Sequence, residues 1–193
     1  MRSQWLASIG WFAVAAHTWA QQPEIGIKLE NTNAVRMPVL AQARATAERI
    51  YSGSGVNLKW SGPAKIEIRM QFDYDLPANV HAGSLGYSQP FAQTGTRIHI
   101  LMNHLPGVVI GKGDPDWYKG AVLGHAMAHE LAHVLYVEHS DSGVMKARWD
   151  ERDLAEMKTR PLAFSAEEAE IIRAGVASRL AAYGRARVVV EPR

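Results

Sequence analysis

The chain has 193 residues, a formal net charge of +2 and no cysteine. So small a charge, carried by Lys and Arg residues scattered along the chain, argues against a nucleic-acid or other polyanionic partner. The absence of cysteine excludes disulfide bonds and thiolate metal ligands, so any metal site must use histidine and carboxylate side chains.

Residues 1–20 have the pattern of a secretory signal peptide. Arg2 supplies a positive start, an apolar stretch covers residues 5–16, and small residues follow at the positions that a signal peptidase reads. The apolar stretch is shorter than the ~20 residues needed to cross a bilayer. We therefore expect cleavage before Gln21, a secreted or periplasmic product without a membrane anchor, and a single domain over residues 21–193.

The first half of that domain contains three predicted strands and one predicted helix. Apolar residues at every second position predict strands at 24–30, 56–60 and 65–72. Apolar residues spaced by three and four predict an amphipathic helix over 38–51, between the first two strands.

Two further strands and a long helix are predicted in the second half. Residues 98–102 predict a strand, and residues 85–91 predict a short edge strand. A loop rich in Gly, Pro and Asp, residues 106–116, leads into a long helix over about 117–137.

A final helix is predicted over residues 165–183. Ser165 and Glu168 have the spacing of a capping box, and Gly184 is expected to end the helix. The complete order of strand, helix, strands, helix and helix predicts an α/β or α+β domain built on a mixed sheet.

The long predicted helix contains an H-E-x-x-H motif, residues 129–133. His129 and His133 are one turn apart on the same helical face, so both imidazoles can reach one ion. Glu130 can lean over a metal-bound water, which is the position that a general base requires. Zinc prefers nitrogen ligands in a tetrahedral shell, and a catalytic site leaves one position for water, so a third protein ligand is needed.

His139 is the candidate for the third ligand. It follows His133 by six residues, too far to remain on the same helical face. The helix must therefore end near residues 136–137, and the chain must fold back, for His139 to approach the ion.

Residues 129–139, H-E-L-A-H-V-L-Y-V-E-H, resemble the metzincin signature H-E-x-x-H-x-x-G-x-x-H. Met145 resembles the methionine of the metzincin Met-turn. The pattern looks most similar to small bacterial relatives of the matrixins. The resemblance implies a zinc endopeptidase in which three histidines bind Zn²⁺ and Glu130 is the general base. It also implies a twisted mixed sheet of about five strands, a backing helix, a zinc-binding helix and a C-terminal helix.

One position departs from this signature, because Tyr136 stands where the family has glycine. The glycine lets the helix end in a left-handed turn, and a tyrosine there costs about 1 kcal/mol or more of backbone strain unless the helix ends differently. This leaves open a downstream glutamate as third ligand, as in gluzincins. Glu151 and Glu156 are the candidates.

Other residues near the motif have plainer interpretations. His125, one turn before His129, either lines the cleft or is a hydrogen-bonded structural histidine, and we favour the structural role. Trp149 is expected to pack beside the methionine turn. By resemblance, Met145 forms an apolar floor under the imidazoles. Three other histidines lack metal-ligand spacing and are not expected to bind a metal: His81, His99 and His104.

Three functions remain open from the sequence. The first is a secreted zinc endopeptidase, expected to be monomeric, that binds a protein or peptide substrate along the edge strand at 85–91. The second is a non-catalytic zinc-binding or interaction protein, against which Glu130 argues because a structural site needs no base. The third is an amidase or other zinc hydrolase acting on a non-protein substrate. The absence of cysteine excludes a cysteine switch, so activity is controlled in another way or the substrate range is narrow.

Overall fold

The computed structural model describes residues 22–75, 77–78, 80–81, 83–89, 95–106 and 113–190, with the side chains of 186–190 excepted. The predicted signal peptide, residues 1–20, lies outside the described residues. The same holds for residues 90–91 of the predicted edge strand and for residues 107–112 of the predicted loop.

One layer of the domain is a mixed sheet of five strands. In chain order these are β1 (Glu24–Glu30), β2 (Asn57–Lys59), β3 (Glu67–Asp73), β4 (Gly86–Gln89) and β5 (Thr96–Leu101). Their order across the sheet is β2-β1-β3-β5-β4, in which β4 runs antiparallel to β5 and every other pair is parallel. The predicted mixed sheet is confirmed, and β4 is an edge strand.

Helices form the second layer. The described residues contain α1 (Met37–Gly53), α2 (Asp116–Val134), α3 (Glu151–Glu156) and α4 (Ala166–Val190). α1 and α2 lie against each other, and α2 also contacts β4 and β5. Gly120 and Gly124 permit this close approach, since a Cβ on either would lie 2.5 Å from an atom of Gln42 or Ala43 on α1.

The core lies between the sheet and the helices α1 and α2. In β3 the apolar residues Ile68, Met70 and Phe72 are buried, whereas Arg69 and Gln71 between them are half-buried on the other face. This is the period-two pattern of a half-buried strand. Each such side chain contributes about 1.5–3 kcal/mol on burial, so the sheet is held firmly against α1 and α2.

Two helix boundaries differ from the predicted ones by more than two residues. α2 ends at Val134, three residues before the predicted end at residue 137. α4 begins with the predicted capping box, in which Glu168 Oε2 accepts from the Ser165 N–H at 2.8 Å and Ser165 Oγ accepts from the Glu168 N–H at 3.1 Å. The expectation that Gly184 ends this helix is wrong, because α4 continues to Val190. A glycine inside a helix costs only about 1 kcal/mol when its neighbours favour the helix.

The short helix α3 has no counterpart among the predicted elements. Asp150 caps it by accepting from the N–H groups of Arg152 and Asp153 at 2.8 and 3.1 Å. The Asp153 carboxylate in turn accepts a hydrogen bond from the Asp150 N–H at 2.8 Å, which completes a capping box.

Among the described helices, none combines the length and the apolar character needed to cross a membrane.

Candidate metal centre

The two motif histidines on α2 are held by backbone carbonyl groups. Nδ1 of His129 donates to the carbonyl oxygen of Val144 at 2.9 Å, and Nδ1 of His133 donates to the carbonyl oxygen of Val137 at 2.7 Å. A carbonyl oxygen only accepts, so the ring proton of each histidine is on Nδ1 and the Nε2 lone pair is free. Both rings are thus oriented as neutral nitrogen ligands.

The end of α2 returns the chain toward those rings. Tyr136 has φ +70°, and the N–H groups of Tyr136 and Val137 donate to the carbonyls of His133 and Ala132, each at 3.1 Å. These two bonds form a Schellman motif with Tyr136 at the position that glycine usually takes. The tyrosine therefore adopts the left-handed turn itself, and its ring is mostly exposed.

Three imidazoles converge as a result of this turn. The ring centroids of His129, His133 and His139 lie 4.6 to 5.2 Å apart, and one ligand nitrogen of each lies within 4.8 Å of the others. The Nε2 atoms of His129 and His133 are 3.0 Å apart. Two ligand nitrogens of a tetrahedral zinc ion, each about 2.0–2.1 Å from it, lie about 3.3 Å apart. The three side chains therefore fit a zinc ion.

Electrostatics favour a cation between these rings. Burial lowers the pKa of His129 to about 4, and burial also lowers the pKa of His133. At neutral pH both rings are uncharged, so no ring proton stands between the two facing Nε2 lone pairs. A bound cation removes the repulsion between those lone pairs.

The alternative third ligands lie elsewhere. Within the described ranges, the three histidines form the only group of three or more potential ligands with convergent donor atoms. Glu151 is exposed in the first turn of α3, and Glu156 forms an ion pair with Arg160 at 3.0 Å. The structure thus brings His139, and neither glutamate, to the other two histidines.

Glu130 lies beside this group, almost entirely buried under the edge strand. Burial raises the pKa of its carboxyl group to about 7. A Cβ placed on Gly86 of β4 would come within 2.9 Å of the Glu130 Cγ, so glycine is needed where the strand passes the carboxylate. Glu130, the three histidines and residues 86–88 line one cavity of about 550 Å³.

The chain after His139 forms a turn whose Val144 carbonyl contacts the His129 ring. Ser140 donates its N–H to the Met145 carbonyl at 3.0 Å, and both Met145 and Trp149 are buried. The Trp149 ring stands edge-on to the His129 ring, with centroids 5.9 Å apart. The expected packing of Trp149 beside this turn is confirmed, whereas the role of Met145 as a floor under the imidazoles stays a prediction.

His125 has the structural role that was favoured. Its Nδ1 donates to the Ala121 carbonyl at 2.7 Å, and its Nε2 accepts from the Leu162 N–H at 2.9 Å. Both ring nitrogens are therefore occupied, and burial lowers the pKa of the ring to about 4. The ring joins α2 to the segment before α4.

The remaining histidines with described contacts are also hydrogen-bonded. His99 pairs through Nδ1 with Asp73 at 2.5 Å and stacks on Tyr87. Nδ1 of His104 donates to the Ser84 carbonyl at 2.9 Å, and Nδ1 of His81 accepts from the Gly83 N–H at 3.1 Å. Each of these bonds orients a ring without bringing it into the three-histidine group.

Several contributors to the site could not be recognised in the sequence. The carbonyls of Val137 and Val144 act through the backbone, which no side-chain pattern reveals. Gly86 matters because α2 lies across β4, a tertiary contact. Arg148 also lines the cavity, although no spacing relates it to the histidines.

The fold and the site together define an α+β domain with a three-histidine group able to hold a metal ion, two of its members on a helix that contacts an edge strand and the third on the loop after that helix. A solved structure of a zinc-dependent peptidase from Methanocorpusculum labreanum (strain Z) aligns with 77% of this chain and 99% of its own, with a TM-score of 0.52 and 14% sequence identity. The chain therefore shares its fold with a zinc-dependent peptidase.

A second solved structure, the GM1-bound form of the ECX AB5 holotoxin, aligns over 80% of each chain with a TM-score of 0.42 and 14% identity. No family model matches the sequence, and no curated protein does.

Proposed function

We propose that the protein is a secreted, metzincin-type zinc endopeptidase in which His129, His133 and His139 bind Zn²⁺ and Glu130 is the general base. One observation carries the proposal. Two facing Nε2 atoms, 3.0 Å apart, have their ring protons committed to carbonyls, and a third imidazole and a buried carboxylate share their cavity. A purely structural site has no use for that carboxylate.

A Zn²⁺ ion held by His129, His133 and His139 would supply the Lewis acidity needed to activate water and to polarise the scissile carbonyl. Glu130 then accepts the proton of the attacking water and delivers it to the leaving amine. Its burial supports this role, because burial raises the pKa of the carboxyl group and so helps it to hold the proton between the two steps. The carbonyls of Val144 and Val137 hold the two α2 imidazoles in position throughout.

The edge strand β4 supports a peptide as substrate. Its residues Gly86–Gln89 pair on one side with β5, and the three nearest the site line the same cavity as the histidines. An extended peptide can add to the free side of such an edge through backbone hydrogen bonds. This arrangement suits a polypeptide better than a compact non-protein amide.

Secretion, a single domain over 21–193 and a monomeric state complete the proposal. The pattern of residues 1–20 supports secretion, because it combines a positive start, an apolar stretch and small residues before Gln21.

The mechanism is tested by Glu130→Gln in the zinc-loaded protein, with an unfolded protein as substrate. We expect the variant to keep one zinc per chain and to lose about 10²- to 10⁴-fold in hydrolysis, the usual contribution of a general base. Glu151→Gln is the matched control, since it removes an exposed carboxylate on α3 and should leave both zinc content and rate unchanged.

Two outcomes would contradict the proposal. Full hydrolysis by zinc-bound Glu130→Gln would exclude Glu130 as the base. A zinc-loaded wild-type protein that cleaves no unfolded protein would favour the non-catalytic zinc-binding protein or the hydrolase of non-protein substrates.

A further inference from the structure

The cavity that holds the three histidines is also lined by a guanidinium group. Arg148 is an exposed residue, and it lines this cavity together with the buried Glu130 and residues 86–88. Among the residues that the structure describes, no carboxylate lies within ion-pair distance of it. The residues outside the described ranges include a single acidic residue, Glu191. Arg148 thus brings to the cleft a positive charge that no carboxylate of the described residues pairs with.

Two residues close to Arg148 in the chain have well-defined side-chain contacts. Lys146, two residues earlier, has its charge neutralised by Asp150 and Asp153, with both Nζ–O distances at 2.7 Å. Trp149, the next residue, is buried against the His129 ring. Lys146 is therefore tied to the start of α3 and Trp149 to the His129 ring, whereas the Arg148 side chain has no ion-pair partner among the described residues.

The guanidinium also reaches across the cleft. Its Nη2 lies 3.8 Å from the position that a Cβ on Gly83 would occupy, so it approaches the segment that leads into β4. A peptide lying along β4 would pass this group close to the histidines. Arginine is suited to such a position because its planar fork binds a carboxylate through two parallel hydrogen bonds.

We propose that Arg148 is a specificity-determining residue that binds a carboxylate of the substrate next to the scissile bond. This inference rests on the proposed peptidase function. The carboxylate comes from an Asp or Glu side chain or from the C-terminus of the peptide. A substrate that covers the cleft excludes water from the guanidinium, and the charge-assisted bonds then strengthen.

The test compares quenched fluorescent peptides that carry Glu or Gln at each position flanking the scissile bond, with free and with amidated C-termini. The zinc-loaded wild-type protein is expected to favour Glu over Gln by about tenfold or more in kcat/KM at one position, as charge-assisted bonds allow. If the C-terminus is the ligand, the same preference appears for the free over the amidated peptide.

Two variants separate Arg148 from general charge effects. Arg148→Gln should reduce the preference for Glu over Gln in kcat/KM to about onefold. Arg152→Gln, an equal change of charge on the exposed face of α3, should keep the preference. A preference unchanged in Arg148→Gln, or no preference in wild type, would overturn the proposal and leave the peptidase function standing.

Binding provides a readout that does not require turnover. The Glu and Gln peptides are titrated into Glu130→Gln protein, and their Kd values are measured by calorimetry. The Glu peptide should have the lower Kd. Its Kd should rise in the double variant that also carries Arg148→Gln. An Arg148-dependent preference in binding, with no cleavage by wild type, would refute the peptidase function alone. Equal Kd values for the two peptides would refute the role of Arg148.

Discussion

The left-handed turn at Tyr136 gives a prediction about stability that is independent of catalysis. A residue with a Cβ at φ +70° is strained by about 1–2 kcal/mol relative to glycine. The ring is 65% exposed, so removing it gives up little burial. Glycine also makes the unfolded chain more flexible, which offsets about 0.4–1 kcal/mol. Tyr136→Gly is therefore expected to stabilise the protein by about 0.5–1 kcal/mol.

The matched control is Tyr136→Ala, which removes the ring but keeps the Cβ. The two backbone bonds from residues 136 and 137 survive in both variants, so the comparison isolates the strain of the turn. In equilibrium urea unfolding of the metal-free protein, the free energy of unfolding of Tyr136→Gly should exceed that of Tyr136→Ala by about 1 kcal/mol. This difference is equivalent to about 2–4 °C in Tm for a chain of this size. Equal midpoints for Gly and Ala, with equal m-values, would show that the turn carries no such strain.

Two further predictions concern acid stability and the cleft. His125 has a folded-state pKa of about 4 against 6.5 when unfolded, so the unfolded state takes up more protons and stability falls as the pH drops from 6.5 to 4, by up to about 3 kcal/mol for this group. His125→Gln should flatten that part of the pH dependence of the unfolding free energy, and an unchanged slope would exclude His125 as its source. Gly86→Ala should lower hydrolysis at least about tenfold, because a Cβ there would lie 2.3 Å from the His99 carbonyl oxygen and 2.9 Å from the Glu130 Cγ, so that β4, Glu130 or both must shift. Gly53→Ala, which meets no atom within 4 Å, is its control, and equal activity of the two variants would contradict the contact.

Local patterns in the sequence predicted most of the elements. The alternation in β3 and the capping box of Ser165 and Glu168 depend on neighbours within a few residues, and both are found as predicted. α4 runs past the predicted stop at Gly184, because a glycine inside a helix costs only about 1 kcal/mol. The sequence does not predict α3, because its capping box uses Asp at both positions instead of the usual Ser or Thr and Glu or Gln.

The site was predictable only as far as side-chain spacing determines it. The i and i+4 spacing of His129 and His133 on a helix predicts their shared face, and the structure places them together. The convergence of His139 depends on a left-handed turn at a tyrosine, which its residue type disfavours. The closeness of Gly86 and Arg148 to the histidines depends on how β4 and the segment after Met145 pack against α2, and no local pattern encodes that packing.

The most direct test of the metal centre is X-ray absorption spectroscopy at the zinc edge, on wild type and His139→Ala, each loaded with one equivalent of zinc. The wild-type spectrum should show three imidazole ligands and one oxygen ligand at about 2.0–2.1 Å, and the variant should lose one imidazole. Two imidazoles in the wild type, or identical spectra for the two proteins, would contradict the convergence of His129, His133 and His139 on one ion.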